Sequence, residues 1–350
     1  MATLEEVFQD INRKYVKIQR SDREINNALL EKVLDLLLKR MERCDQLFSS
    51  MTPRLEYLGS YFDGLRVGQP TEYDINIVFK IPVNYERIEL NASDTQDVHN
   101  GKHIIKICNK RYEISAKIQG PANTLTLTGN GKIIDIDLVP TIAFKLPKKP
   151  YSSKVDFTKA THTNLDIYFV VPKPSGQDFS WRLAFPFQER FYINNRYNLK
   201  SSLKIIKLLR DVQGFKKMAS YYIKTIFLWE SAAQDNVFWK HNSLSFLVLY
   251  MLKKLKERLY EGKINNFWCS EHNLLEKIKI ETCRNWSNRL SNIIDDIEQN
   301  QKTNPHVLYK YFVENNSVAN LTTVQELSTI LKTDLKTRKK AKEQRSEKNV

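Results

Sequence analysis

Residues 72–79, EYDINIVF, carry the apolar run of a β-strand, yet this strand opens on two carboxylates, Glu72 and Asp74. Side chains two apart on a strand point to the same face, so the two negative charges stand side by side. Like charges at that range disfavour a sheet, and a solvent-facing edge or a cation has to offset them. The rest of the chain is basic, with 55 Lys and Arg against 40 Asp and Glu and a formal net charge of +15. Shortly upstream lies Gly59-Ser60, in the stretch LGSYF. Glycine lets backbone N–H groups approach an anion closely, and the serine hydroxyl adds a donor.

A chain of 350 residues buries a full core and suits two lobes. Its 41% hydrophobic and 27% charged residues are ordinary for a globular protein. The four cysteines, Cys44, Cys108, Cys269 and Cys283, form no C-x-x-C pair. That argues against a disulfide framework and against a zinc site built from cysteines alone. No apolar leader opens the chain, and the longest apolar run, around residues 246–252, is short of a membrane span. A reducing, cytoplasmic setting is expected.

Residues 22–44 read as one long helix, with Ile25, Leu29, Val33, Leu36 and Leu37 at helical spacing and Asp22 as its N-cap. From Arg54 to about Phe144 the pattern changes to strands at 72–81, 102–108, 111–118, 123–129 and 132–144, and Gly129-Asn130-Gly131 supplies a tight hairpin. A short strand at 166–171 precedes the linker-like KPSGQD. From Trp181 onward the chain reads as helices at 198–212, 219–233, 243–262 and 281–300. The last twenty residues hold eight basic and three acidic side chains and read as a flexible basic tail. The expected fold class is α+β and bilobal. A mixed-sheet lobe led by the long helix spans 1–172, a helical lobe 173–331 and the tail 332–350.

The stretch IIDIDLVP places Asp135 and Asp137 in an otherwise apolar run, where a buried carboxylate without a partner is costly. Paired carboxylates with a third from a neighbouring strand are what Mg²⁺ needs when it is held together with substrate phosphates. In two-metal phosphoryl transfer one ion activates the attacking hydroxyl and the other steadies the leaving pyrophosphate. Each piece alone fits a solvated strand face or an ordinary turn; the order Gly-Ser, Glu-x-Asp, then Asp on a later strand is specific. Asp135 and Asp137 share strand parity, so spacing leaves open which of them ligates.

That order resembles the nucleotidyltransferase superfamily, and within it the cyclic GMP–AMP synthase-like receptors. GSYFDGLRVGQPTEYDINIVFK is similar to their Gly-Ser and Glu-x-Asp segment throughout. DLVP resembles their third-acid strand, WRLAF the segment that opens their second lobe, LKIIKLL their lysine-bearing helix and ASYYIKT the segment lining the base pocket. The resemblance implies that Glu72, Asp74 and Asp137 hold two Mg²⁺ (or Mn²⁺) ions and that Gly59 and Ser60 bind nucleotide phosphates. It likewise implies that Lys207 and Ser220 contact the donor triphosphate, Tyr221 stacks on a base, Arg182 contacts the second nucleotide and Glu189 is a further acid of the pocket. ATP and GTP are the implied substrates, a cyclic dinucleotide the implied product, and a STING-type receptor its reader.

Two departures matter. The vertebrate enzyme inserts a zinc-binding thumb before the lysine-bearing helix, whereas PFQERFYINNRYNLKSS here holds no His and no Cys, so no four-ligand zinc site forms in it. Ala184 and Pro186 replace serines, which bears on base selectivity at the acceptor site. In zinc-less, insect-type members the activating ligand can be double-stranded RNA, and that is the expected partner here, with double-stranded DNA the alternative and a ligand-induced dimer in view. RNA of this kind is gripped through phosphates and 2′-hydroxyls by spaced cations. The candidates are Lys14, Lys17, Arg20 and Arg23 before and at the start of the long helix, and Lys200, Lys216, Lys217 and Lys240 in the second lobe.

Overall fold

The computed structural model describes residues 2–18, 20–69, 71–80, 102–107, 110–119, 122–129, 131–150, 153–173, 180–194 and 196–313. The tail, residues 174–178 of the linker, Asn130 of the hairpin and the side chain of Arg20 lie outside them.

Eight strands form one mixed sheet. They are β1 (Arg54–Leu58), β2 (Glu72–Phe79), β3 (Lys102–Ile107), β4 (Lys110–Gln119), β5 (Ala122–Gly129), β6 (Lys132–Lys145), β7 (Ile167–Lys173) and β8 (Ser180–Ala184). The order is β1-β2-β6-β5-β4-β3, with β7 pairing β6 and β8 pairing β7. Only β2 and β6, among the described strands, run parallel. Gly129 pairs with Lys132 across β5 and β6, the register a two-residue hairpin dictates.

Alternation in β2 and β6 decides what each face of the sheet meets. Tyr73, Ile75 and Ile77 with Ile134, Ile136 and Leu138 are buried in one cluster, which α2 (Arg20–Cys44) covers with Leu29, Leu30, Val33 and Leu34. Residues between them, the acids included, therefore point to the other face. Of the residues expected at helical spacing, Leu29 and Val33 are buried and Leu37 packs against the cluster, whereas Ile25 is 58% exposed and Leu36 44%. The helix also starts two residues before Asp22, so Asp22 sits inside its first turn rather than capping it.

Ahead of α2 lies an element absent from the sequence reading, α1 (Leu4–Ile11), which continues into one π-helical turn at Asn12–Val16. Thr3 and Glu6 form a reciprocal capping box at its start. Its buried residues Val7, Phe8 and Ile11 belong to the core of the helical lobe. Short α3 (Gln46–Ser50), α4 (Gly59–Phe62) and α5 (Thr158–Thr161) punctuate the sheet lobe. The helical lobe comprises α6 (Pro186–Ile193), α7 (Leu199–Val212), α8 (Ser220–Ala233), α9 (Asn236–His241), α10 (Leu244–Glu261), α11 (Ile280–Asn300) and, after a 3₁₀ turn at Pro305–Leu308, α12 (Tyr309–Phe312). Pro186 occupies the first turn of α6, where its missing N–H is harmless. Trp181 and Arg182 stand on β8, an edge strand of the sheet, with the helices beginning four residues later. No described helix is long and apolar enough to cross a membrane.

Candidate active site

The sheet register assembles the site. Leu58, Asp74, Asp137 and Thr124 form one row across β1, β2, β6 and β5, and Glu72, Asp135 and Thr126 form the row two residues away. All four carboxylates therefore share the face opposite α2. Gly59 and Ser60 follow Leu58 directly, so the turn sits at the end of the row holding Asp74 and Asp137. Asp135 is one row further off, opposite Glu72.

Gly59 is required twice over. Its φ of +74° is a left-handed conformation, and a Cβ there would come within 1.7 Å of Asp74 Oδ2. The backbone of the turn thus rests on the central carboxylate. Burial, then the charges of Glu72, Asp137 and Asp63, push the Asp74 carboxyl up to about 6. Each neighbouring acid is engaged: Thr124 donates to Asp137 Oδ1 at 2.5 Å, Thr126 to Asp135 Oδ1 at 2.6 Å, and Arg66 Nη1 to Glu72 Oε2 at 2.5 Å. Among the described residues no three acid, His or Cys side chains are gathered closely enough to hold a metal ion.

Lys207, on α7, is buried and donates to the Leu65 carbonyl at 2.7 Å. Burial, then the charges of Arg210 and Arg66, bring its ammonium down to about 8. From α8 a buried ionic network reaches back to the turn. Lys224 lies 3.0 Å from Asp63 and 2.6 Å from Glu189, while Arg190 of α6 lies 2.6 Å from Asp63. Burial disfavours the charged Lys224 ammonium, but Glu189 and Asp63 outweigh it and hold its pKa above the usual value. Glu189 also accepts from Tyr221 at 3.1 Å and Trp268 at 3.0 Å. Burial, then the Glu189 charge, keeps the Tyr221 phenol protonated, and Arg182 on β8 is near enough to act on it electrostatically. Ser220 is the first residue of α8, and Ala219 before it provides no side-chain cap.

The expected cations do not form one cluster. Lys17, Arg23 and Lys200 converge on Lys204, a lysine the sequence reading passed over; burial and their three charges lower its pKa. Lys14 is paired with Asp10 at 2.8 Å. Lys216 and Lys217 are exposed beyond the C-terminus of α7, and Lys240 is exposed on α9. Asp63, Arg66, Arg190 and Lys224 were also missed; Asp63, Arg190 and Lys224 meet partners distant in sequence, whereas Arg66 meets Glu72 only six residues on, across a turn whose course no spacing rule gives.

Fold and site together define a two-lobed nucleotidyltransferase. Residues 90–195 match the Mab-21 protein nucleotidyltransferase domain and residues 198–292 the Mab-21 protein HhH/H2TH-like domain. The first match begins downstream of Gly59, Ser60, Glu72 and Asp74 and includes Asp137. A cyclic GMP-AMP synthase-like receptor of Tribolium castaneum is 30% identical, over 88% of this chain and 92% of its own length. One of Aethina tumida is 29% identical, over 89% and 91%, and cyclic GMP-AMP synthase-like receptor 1 of Drosophila erecta is 27% identical, over 76% and 71%. The chain belongs to the cyclic GMP-AMP synthase-like receptor family and is a nucleotidyltransferase.

Proposed function

We propose that this chain joins ATP and GTP into a cyclic dinucleotide when double-stranded RNA occupies its basic face. The observation that carries the reading is the row that sets Asp74 and Asp137 side by side at the Gly59-Ser60 turn. We read Glu72, Asp74 and Asp137 as the holders of a pair of Mg²⁺ or Mn²⁺ ions: all three are hard oxygen donors on one sheet face, and gathering them around an ion would take Glu72 from Arg66. Bound there, the ions would supply activation of the attacking hydroxyl and charge neutralisation at the leaving pyrophosphate.

The chain's own residues supply binding and orientation. Gly59 admits phosphate close to the backbone, and Ser60 adds a hydroxyl donor. Lys207, within charge range of Arg66, is the cation suited to the triphosphate, and the uncapped amides at Ser220 offer donors to the outer phosphates. Tyr221 provides the flat surface for a base, with Glu189 fixing its hydroxyl. Arg182, exposed beside Tyr221, is suited to the second nucleotide. Holding a hydroxyl in line with an α-phosphate accounts for most of the rate such a site must supply; a second, equivalent attack closes the ring.

Lys17, Arg23, Lys200 and Lys204 repel one another, and RNA phosphates would relieve that repulsion. The Asn27 side chain on α2 accepts from the Tyr61 hydroxyl at 2.5 Å, next to Ser60, so a shift of the long helix is passed to the turn. A STING-type receptor is the expected reader of the product, and the RNA the expected cause of any dimer. The test is incubation with Mg²⁺ and all four nucleoside triphosphates, with and without double-stranded RNA or DNA, followed by chromatography. A phosphatase-resistant cyclic product formed only with RNA is expected. Linear oligomers would indicate an oligoadenylate synthetase-like activity, DNA dependence a different ligand, and no product under any condition a non-catalytic scaffold.

A further inference from the structure

Arg66 differs from the other cations near the site because it is directed onto the carboxylate face. Besides its 2.5 Å contact with Glu72, its Nη2 donates to Thr71 Oγ1 at 3.0 Å and its Nε to the Gln69 carbonyl at 3.4 Å. The guanidinium is the inner partner: the Arg66 side chain is 21% exposed and that of Glu72 50%. Its charge also reaches Asp74 and Lys207, lowering the pKa of both. One guanidinium therefore lies within range of the acids and of the lysine, and a triphosphate would have to fit among these same groups.

A guanidinium and a divalent cation on one carboxylate repel each other strongly at contact distance, so they exchange rather than coexist. A guanidinium released from Glu72 keeps its charge and its fork of donors, which matches phosphate oxygens two at a time. We propose that Arg66 is an internal counter-cation: it satisfies Glu72 until a divalent ion takes that carboxylate, then pairs with the triphosphate that accompanies the ion. This rests on the reading of Glu72 as a metal ligand. It gives Arg66 two effects of opposite sign. Arg66 opposes binding of the bare ion and favours binding of the ion–nucleotide complex.

Manganese binding tests this without reference to turnover. Free Mn²⁺ is followed by electron paramagnetic resonance with wild-type, R66A and R66K full-length protein, first alone and then with a non-hydrolysable ATP analogue. Loss of a half-exposed ion pair and of one competing charge predicts roughly three- to tenfold tighter Mn²⁺ binding by R66A alone. With the analogue, R66A is expected to bind the complex roughly tenfold more weakly, with R66K between it and wild type in both assays. A merely structural role for Arg66 would move both affinities in one direction. R66A weakening both, or changing neither while wild type binds Mn²⁺, would overturn the proposal and leave the metal reading standing. Wild-type protein that binds no Mn²⁺ with or without the analogue would overturn both.

Discussion

With its carboxyl pushed up to about 6, Asp74 opposes folding of the metal-free chain at neutral pH. The folded state binds its proton more tightly than the unfolded state does, so this penalty is present above about 6 and fades as pH falls toward the unfolded value near 4. Asp74→Asn should therefore raise stability by about 1–3 kcal/mol at pH 7.5. Thermal melts should show that gain shrinking toward pH 4.5, with all nucleotidyl transfer lost. Lys207, at about 8, loses its charge as pH rises past that value. The rate of nucleotidyl transfer should thus fall above about pH 8, and below about pH 6 when metal is limiting, the acid limb moving to lower pH as metal is added. Asp137→Ala should abolish product while Asp135→Ala leaves some, since only Asp137 shares the row with Asp74. Much of this was legible in order and parity: the Gly-Ser turn, the Glu-x-Asp pair and an acid on a later apolar strand. The ring of partners was not, because Arg190 and Lys224 reach Asp63 only through the fold and the local Arg66–Glu72 pair depends on the course of the turn between them.

Strands carried their signal better than the helix ends. The shared parity of Glu72 with Asp74 and of Asp135 with Asp137 holds in β2 and β6, where the residues between them, Tyr73 and Ile136, are buried on the opposite face. The face of α2 was legible only in part, at Leu29, Val33 and Leu37, because Leu29, Leu30, Val33, Leu34, Leu36 and Leu37 make an apolar belt too wide for spacing to show which edge meets the sheet. α1 was missed although Thr3-x-x-Glu6 is a capping signature and Val7, Phe8 and Ile11 keep helical spacing. That helix is firmly held. Phe8 is fully buried and meets Phe312 edge to face at 5.6 Å, while Glu5 accepts from the backbone N–H of Ser245 at 2.7 Å at the start of α10. Phe8→Ala should cost about 3–5 kcal/mol in denaturant unfolding, a loss out of proportion to an eight-residue helix at the edge of a chain.

Across the whole molecule, the network of Asp63, Arg190, Lys224 and Glu189 ties the turn that bears Ser60 to the helices that bear Tyr221. Lys224→Met leaves two buried carboxylates less well matched, and about 3–5 kcal/mol of stability should go with it. At the part-buried centre of the Lys17, Arg23 and Lys200 group, Lys204→Glu should weaken RNA binding and flatten its dependence on salt, read from titrations at several ionic strengths. The seating of Phe8 against Phe312 also bears on synthesis. Phe8 finds Phe312 only after some three hundred further residues have been made. Until the partners from α10 onward have been made, Val7, Phe8 and Ile11 have no complete cover on the nascent chain and offer an apolar stripe on which a chaperone could land.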